Sequence, residues 1–175
     1  MLKLIQLKFL IVIFGIQIKL VVSNSEENPC QKINDEEIQH CCNPPVFNVE
    51  IIDQCNEIHE QPGCMFECYM QSIGVFKNNQ IDHEGFKKEI QSRTDSTFYD
   101  VFLKHTENCL EKSEIYTNKV DPTTKCHYQP IYYIMCLNLN SFIDCPTNLR
   151  TNDAKCQEVR ENVRQCARSI QLLNE

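Results

Sequence analysis

Gly63-Cys64-Met65-Phe66-Glu67-Cys68, followed by Tyr69, Met70 and Ile73, is the stretch around which the rest of the chain is organised. Its composition favours a helix, and two cysteines separated by three residues lie one above the other on a single helical face. Their Cβ atoms would sit about 5–6 Å apart, whereas a disulfide wants about 3.5–4.5 Å. A regular helix therefore keeps them from bonding to each other, and each must tie the helix to a different neighbour.

Reading outward predicts those neighbours. A helix over about 47–59 carries Ile51, Ile52, Cys55 and Ile58 on one face, and Gln61-Pro62-Gly63 separates it from the cysteine helix. The cysteine helix runs to about Ile73, with Gly74 placed as its C-terminal cap. Asn78-Asn79-Gln80 form a polar turn. Asp82 then reads as an N-cap, with Ile81 and Phe86 forming a hydrophobic staple, and its helix ends near Ser92. From about Ser96 to Lys112 a longer helix places Phe98, Val101, Phe102, His105 and Cys109 on one face. Residues 113–125 read as a loop.

The segment from Pro130 to Ile143 is apolar on all sides, with Ile131, Tyr132, Tyr133, Ile134, Met135, Cys136, Leu137, Leu139, Phe142 and Ile143, so it is expected to be central and buried. The last helix, Asn152 to about Leu172, carries Cys156, Val159, Val163, Cys166, Ala167 and Ile170 along one stripe. Arg160, Glu161, Arg164 and Arg168 are expected to face water. Residues 24–45 are polar and proline-containing and read as an irregular arm, stapled at two separate places by Cys41 and Cys42. The expected fold is all-α: a compact disulfide-braced bundle of about six to eight helices around a buried helix near 130–143, with an internal apolar cavity.

Composition bounds the setting. Residues 1–23 carry Lys3 and Lys8, then Phe9 to Ile16, then Lys19 and Leu20-Val21-Val22-Ser23, the pattern of a cleaved secretory signal; Lys19 interrupts the apolar run before it reaches the ~20 residues of a spanning helix. Residues 24–175 form a single domain of 152 residues with all twelve cysteines. An even, large cysteine count behind a secretory leader implies an oxidised disulfide framework. Losing three lysines and no acid moves the net charge from −7 to −10, which disfavours nucleic acid and anionic membranes. Only Gly63, Gly74 and Gly85 remain after the leader, too few for several tight hairpins, which also favours helices.

The cysteine spacing is the specific signal. From Cys55 the intervening counts are 8 to Cys64, 3 to Cys68, 40 to Cys109, 16 to Cys126, 9 to Cys136, 8 to Cys145, 10 to Cys156 and 9 to Cys166, with Pro146 directly after Cys145. This string resembles the insect odorant-binding proteins, and within them the "Plus-C" subgroup with its extra cysteines and following proline. The resemblance covers about 55–166. It implies that Cys64 pairs with Cys136, Cys109 with Cys145, and Cys68 with Cys42 or Cys55. The twin nine-residue spacings add a guess, Cys126 to Cys166; Cys30, Cys41 and Cys156 are left without assigned partners. The same twin spacing is similar to that of mitochondrial intermembrane-space proteins, but the leader and the eight further cysteines argue against that setting.

No poised nucleophile is found. A secreted phospholipase would place a His-Asp pair just beyond a Cys-Cys pair, whereas Cys41-Cys42 is followed by Asn43, Pro44, Pro45 and Val46. Gly-x-Ser-x-Gly is absent, and Asp82-His83-Glu84 is explained as an acidic helix N-terminus. The five histidines lack metal-site spacing; His40, His59, His83 and His127 read as solvated and His105 as a core residue. No cofactor is expected. Binding is then the default, in a pocket lined by Met70, Ile73, Val75, Phe76, Phe86, Phe98, Phe102, Tyr133, Ile134, Leu137 and Phe142, each of which reads at least as well as plain core packing. The resemblance implies a secreted, extracellular carrier that reversibly binds a small apolar ligand of odorant or pheromone type, and a membrane olfactory receptor as a further partner; many members of the family are thought to release ligand on acidification. The competing reading is a secreted interaction module without a cavity, forming a homodimer through the Cys41-Cys42 arm or the last helix.

Overall fold

The helices form where apolar spacing and caps coincide. In a computed structural model of the chain, residues 29–42, 49–59, 61–94 and 96–172 are described, and the expected leader lies outside them. The described residues contain a 3-10 turn at Pro29–Lys32 and seven α-helices: α1 Asp35–Cys41, α2 Val49–Ile58, α3 Pro62–Ser72, α4 His83–Arg93, α5 Ser96–Glu114, α6 Tyr128–Ile143 and α7 Ala154–Ser169. Between α3 and α4, two-residue strands β1 (Phe76–Lys77) and β2 (Gln80–Ile81) pair antiparallel, Phe76 opposite Ile81. The chain divides into two compact units, residues 45–138 and residues 1–44 with 139–175, the division falling within α6.

In the unit of residues 45–138, α3 starts with Pro62 in its first turn and ends at Ile73, with Gly74 in the left-handed region at φ 74°. The expected polar turn at Asn78-Asn79-Gln80 is a two-residue hairpin turn: Asn78 and Asn79 both take positive φ, 53° and 62°, which asparagine tolerates where glycine is more usual. Asp82 caps α4, its carboxylate accepting the Gly85 N–H at 2.9 Å. On α5, Phe98, Phe102 and Cys109 are buried as expected, while Val101 and His105 are only half-buried; the helix also takes in Ser113 and Glu114, expected to be loop. Residues 121–125 are turned by Asp121, whose carboxylate accepts the N–H groups of Thr123 and Thr124 and the Tyr128 hydroxyl proton. The N-terminal part of α6 carries buried Ile131, Tyr132, Tyr133, Ile134, Cys136 and Leu137. Cys55–Cys68, Cys64–Cys126 and Cys109–Cys136 close this unit.

In the unit of residues 1–44 and 139–175, the arm is not irregular throughout. Asn34 accepts the Glu36 N–H and starts α1, which packs against α7. The stripe of α7 is buried as expected, from Cys156 to Ile170. Arg160 departs from expectation: it is 5% exposed, and its guanidinium donates to the Thr151 carbonyl at 3.1 Å and Asn152 Oδ1 at 3.3 Å. A long charged side chain on the edge of the stripe folds over to serve a loop carbonyl. Cys30–Cys166, Cys41–Cys156 and Cys42–Cys145 close this unit as a nested set.

All twelve cysteines are paired. Cys64 and Cys68 do tie α3 to different neighbours, and Cys55 is the partner of Cys68. The other expected pairs are corrected: Cys64 bonds Cys126 instead of Cys136, Cys109 bonds Cys136 instead of Cys145, and Cys126 does not bond Cys166. The loop cysteine Cys126 lies beside α3 because Glu67, one turn along from Cys64, accepts both the His127 backbone N–H and its ring Nδ1, the latter at 3.0 Å. With Cys64 taken, the mid-helix Cys136 faces α5, and Cys145 is left for the arm.

Candidate functional site

Tyr133 is the centre of the apolar interior of the 45–138 unit. It has 0% exposure, and two rings from α4 meet it edge-on: Phe86 at 5.2 Å between centroids and His83 at 6.3 Å. The spacing of His83, Phe86 and Ile90 along α4 explains why: residues three and seven apart share one helical face, and α4 packs against α5. Phe98 and Phe102 pack one turn apart on α5 with their rings tilted, 6.4 Å between centroids. Met70 on α3 and Ile134 and Leu137 on α6 are fully enclosed, and Phe76 on β1 is buried against the His127 ring at 5.5 Å.

Of the side chains expected to line a pocket, Met70, Val75, Phe76, Phe86, Phe98, Phe102, Tyr133, Ile134 and Leu137 are all buried in this one unit. Ile73 is half-buried at the C-cap of α3, and Phe142, though buried, belongs to the other unit. His83 was expected on the surface and is not: its side chain is 12% exposed. His127 is corrected in the same way by its pairing with Glu67. The signal for His83 was in the sequence, since it sits three residues before Phe86 on the same stripe.

Two polar atoms in this aromatic interior, the Tyr133 hydroxyl and His83 Nε2, are buried and find no hydrogen-bond partner among the described residues. Gln129 Oε1, one turn before Tyr133 on α6, is in the same position. Burial pushes the Tyr133 phenol far above its ordinary range, with Glu107 adding to the effect, so the hydroxyl stays protonated. Burial, then the Lys87 charge, holds His83 below its ordinary value against the opposing pull of Glu107 and Glu84. Its Nδ1 faces Glu107 Oε1 at 3.7 Å.

The charged groups around this edge are already engaged. Lys87 Nζ donates to Glu107 at 2.7 Å and Glu84 at 3.0 Å. His83, Glu84 and Glu107 bring donor atoms within 4.8 Å of one another, but both carboxylates are exposed and shared with that lysine. In the other unit His40, Asp153 and Cys156 also converge, and Cys156 is committed to a disulfide. What the interior offers is apolar surface and hydrogen bonding.

No family model matches the chain. Among curated proteins it is 23% identical over 91% of its length to General odorant-binding protein 67 of Anopheles gambiae, covering 89% of that protein. It is 24% identical over 95% of its length to General odorant-binding protein 68 of the same mosquito, covering 88% of it, and 22% identical over 59% to Odorant-binding protein 47, covering 51%.

Proposed function

We propose that this homologue of the insect odorant-binding proteins, whose twelve cysteines closed into six disulfides are consistent with the Plus-C branch, is a secreted carrier that binds one small apolar molecule reversibly and does no chemistry on it. The observation that carries this reading is the relation to two proteins named as odorant-binding over nine-tenths of the chain, on an all-helical, disulfide-braced frame. The ligand is held among Met70, Phe86, Phe98, Phe102, Tyr133, Ile134 and Leu137, where aromatic walls and a few polar atoms match the usual make-up of a small-molecule site. A membrane olfactory receptor is the downstream partner. Six structural bridges suit an oxidising compartment; no helix among the described residues is long and apolar enough to cross a membrane.

A ligand of ten carbons gains about 8 kcal/mol from burial at ~0.8 kcal/mol per methylene, which before binding costs corresponds to roughly micromolar affinity. The test is displacement of an apolar fluorescent probe, N-phenyl-1-naphthylamine, from the oxidised monomer. Saturable one-site binding and displacement by medium-chain apolar compounds is the expected result. A probe that never binds would overturn the carrier and favour a solid interior with a protein-binding surface.

A further inference from the structure

We infer that the ligand end facing Tyr133 and His83 is a hydroxyl group, so that the carrier prefers medium-chain alcohols to matched aldehydes, hydrocarbons and carboxylates. This rests on the carrier reading above and names the ligand class for that same interior. Tyr133 and His83 meet edge-on with ring centroids 6.3 Å apart, and neither the phenol oxygen nor Nε2 is bonded to the other or to any described residue. A buried donor or acceptor without a partner is costly, and a phenylalanine at either position would avoid that cost while keeping the packing. Two such atoms on neighbouring rings leave a donor and an acceptor for a third group to satisfy.

The chemistry is specific in direction. The Tyr133 phenol is held protonated and donates. His83 is held neutral, and the Glu107 carboxylate opposite Nδ1 favours the tautomer with its proton on that nitrogen, which leaves Nε2 an acceptor. An alcohol oxygen accepts from Tyr133 while its own proton goes to His83, satisfying both. An aldehyde oxygen accepts from Tyr133 only. A hydrocarbon satisfies neither. A carboxylate meets Glu107 and Glu84 nearby, and the one lysine among them, Lys87, is already bonded to both.

The experiment uses the full-length oxidised protein and the N-phenyl-1-naphthylamine displacement assay at pH 7.5 with 1-decanol, decanal, decane and decanoate. The expected order is decanol first, with decanal about 5-fold weaker and decane weaker again, as one and two neutral hydrogen bonds imply. Tyr133→Phe, which keeps the ring, should weaken decanol and decanal about 5-fold and leave decane unchanged; His83→Phe should weaken decanol alone. Far-UV circular dichroism and probe affinity check that each variant is folded. Equal displacement by all four compounds, or variants that shift all ligands alike, overturns the hydroxyl assignment while leaving the carrier standing, and is what a bridging water at these atoms would give. If no compound displaces the probe, or the probe itself fails to bind, the carrier reading falls and this inference with it.

Discussion

Replacing Cys30 and Cys166 together by serine removes the outermost member of a nested set of three bridges. Taken alone, that bridge spans 136 residues, and the chain-entropy relation would assign it about 5 kcal/mol. The structure gives a smaller number. Cys41–Cys156 lies immediately inside, so while it is intact the loop that opens consists of the stretches 30–41 and 156–166, about 21 residues, for which the same relation gives about 3.3 kcal/mol. The middle and inner bridges shorten each other further, to a loop of about 12 residues and about 2.8 kcal/mol each when removed singly. The measurement is guanidinium-chloride unfolding of the oxidised variants, followed by far-UV circular dichroism and compared with wild type at a shared m-value. Losses near 3 kcal/mol for all three pairs, independent of their sequence separations, are expected. A loss near 5 kcal/mol for the outer pair would refute the nesting argument, since the bridges would then act as independent long loops; a loss under 1 kcal/mol would show that the bridge does not hold the Pro29–Lys32 turn on α7.

Further outcomes follow from single side chains. Phe86→Ala removes an enclosed ring packed on Tyr133 and should cost about 3–5 kcal/mol in the same unfolding assay, with probe affinity lost in parallel. Gly85→Ala should destabilise by about 1 kcal/mol although alanine is the better helix former, because a Cβ there would come 2.6 Å from the Asp82 carboxylate and displace the cap of α4; a rise in Tm would refute this. Arg160→Met, similar in length and unable to donate, should cost about 1–3 kcal/mol by leaving the Thr151 carbonyl unpaired, against almost nothing for a solvated arginine. His83 is faced by Lys87 and Glu84 on its own helix, Glu107 on α5 and Tyr133 on α6. Its folded pKa is depressed, so the unfolded chain binds the proton more readily: the stability His83 contributes is complete above about pH 6.5 and is lost as pH falls through the folded value. His83→Gln should therefore flatten the stability profile between pH 7 and 5, and an unchanged slope would remove His83 from that role.

How much of this was readable in advance depended on whether the decisive interaction was local. Asp82 as a cap, Gly74 after α3, the α7 stripe and the all-round apolar α6 rest on neighbours within a turn or two, and the sequence carries them openly. The helix α1 is also local, with Asn34 as cap and acids after it, but its polar composition and the prolines at 44 and 45 hid it. Asn78-Asn79 hid a hairpin because asparagine does there what glycine usually does. The cysteine pairs were not legible. Which sulfur reaches Cys64 is decided by the Glu67–His127 pairing sixty residues apart, and nothing within either segment announces it. The polar character of the site was half visible: Tyr133 was named from its apolar neighbours, while His83 was set aside for its charge despite sharing a stripe with Phe86 and Ile90.

Because each of the six bonds closes inside its own unit, the order in which the ribosome delivers the sulfurs matters. Every sulfur of the middle segment, from Cys55 to Cys136, emerges before the first late partner, Cys145, exists. Cys42 must wait through 103 residues of synthesis, roughly 5–20 s at ordinary translation rates, while six reactive thiols pass beside it. The three arm thiols are thus exposed to the sulfurs of the middle segment before their own partners exist, and the N-terminal arm is locked in place last.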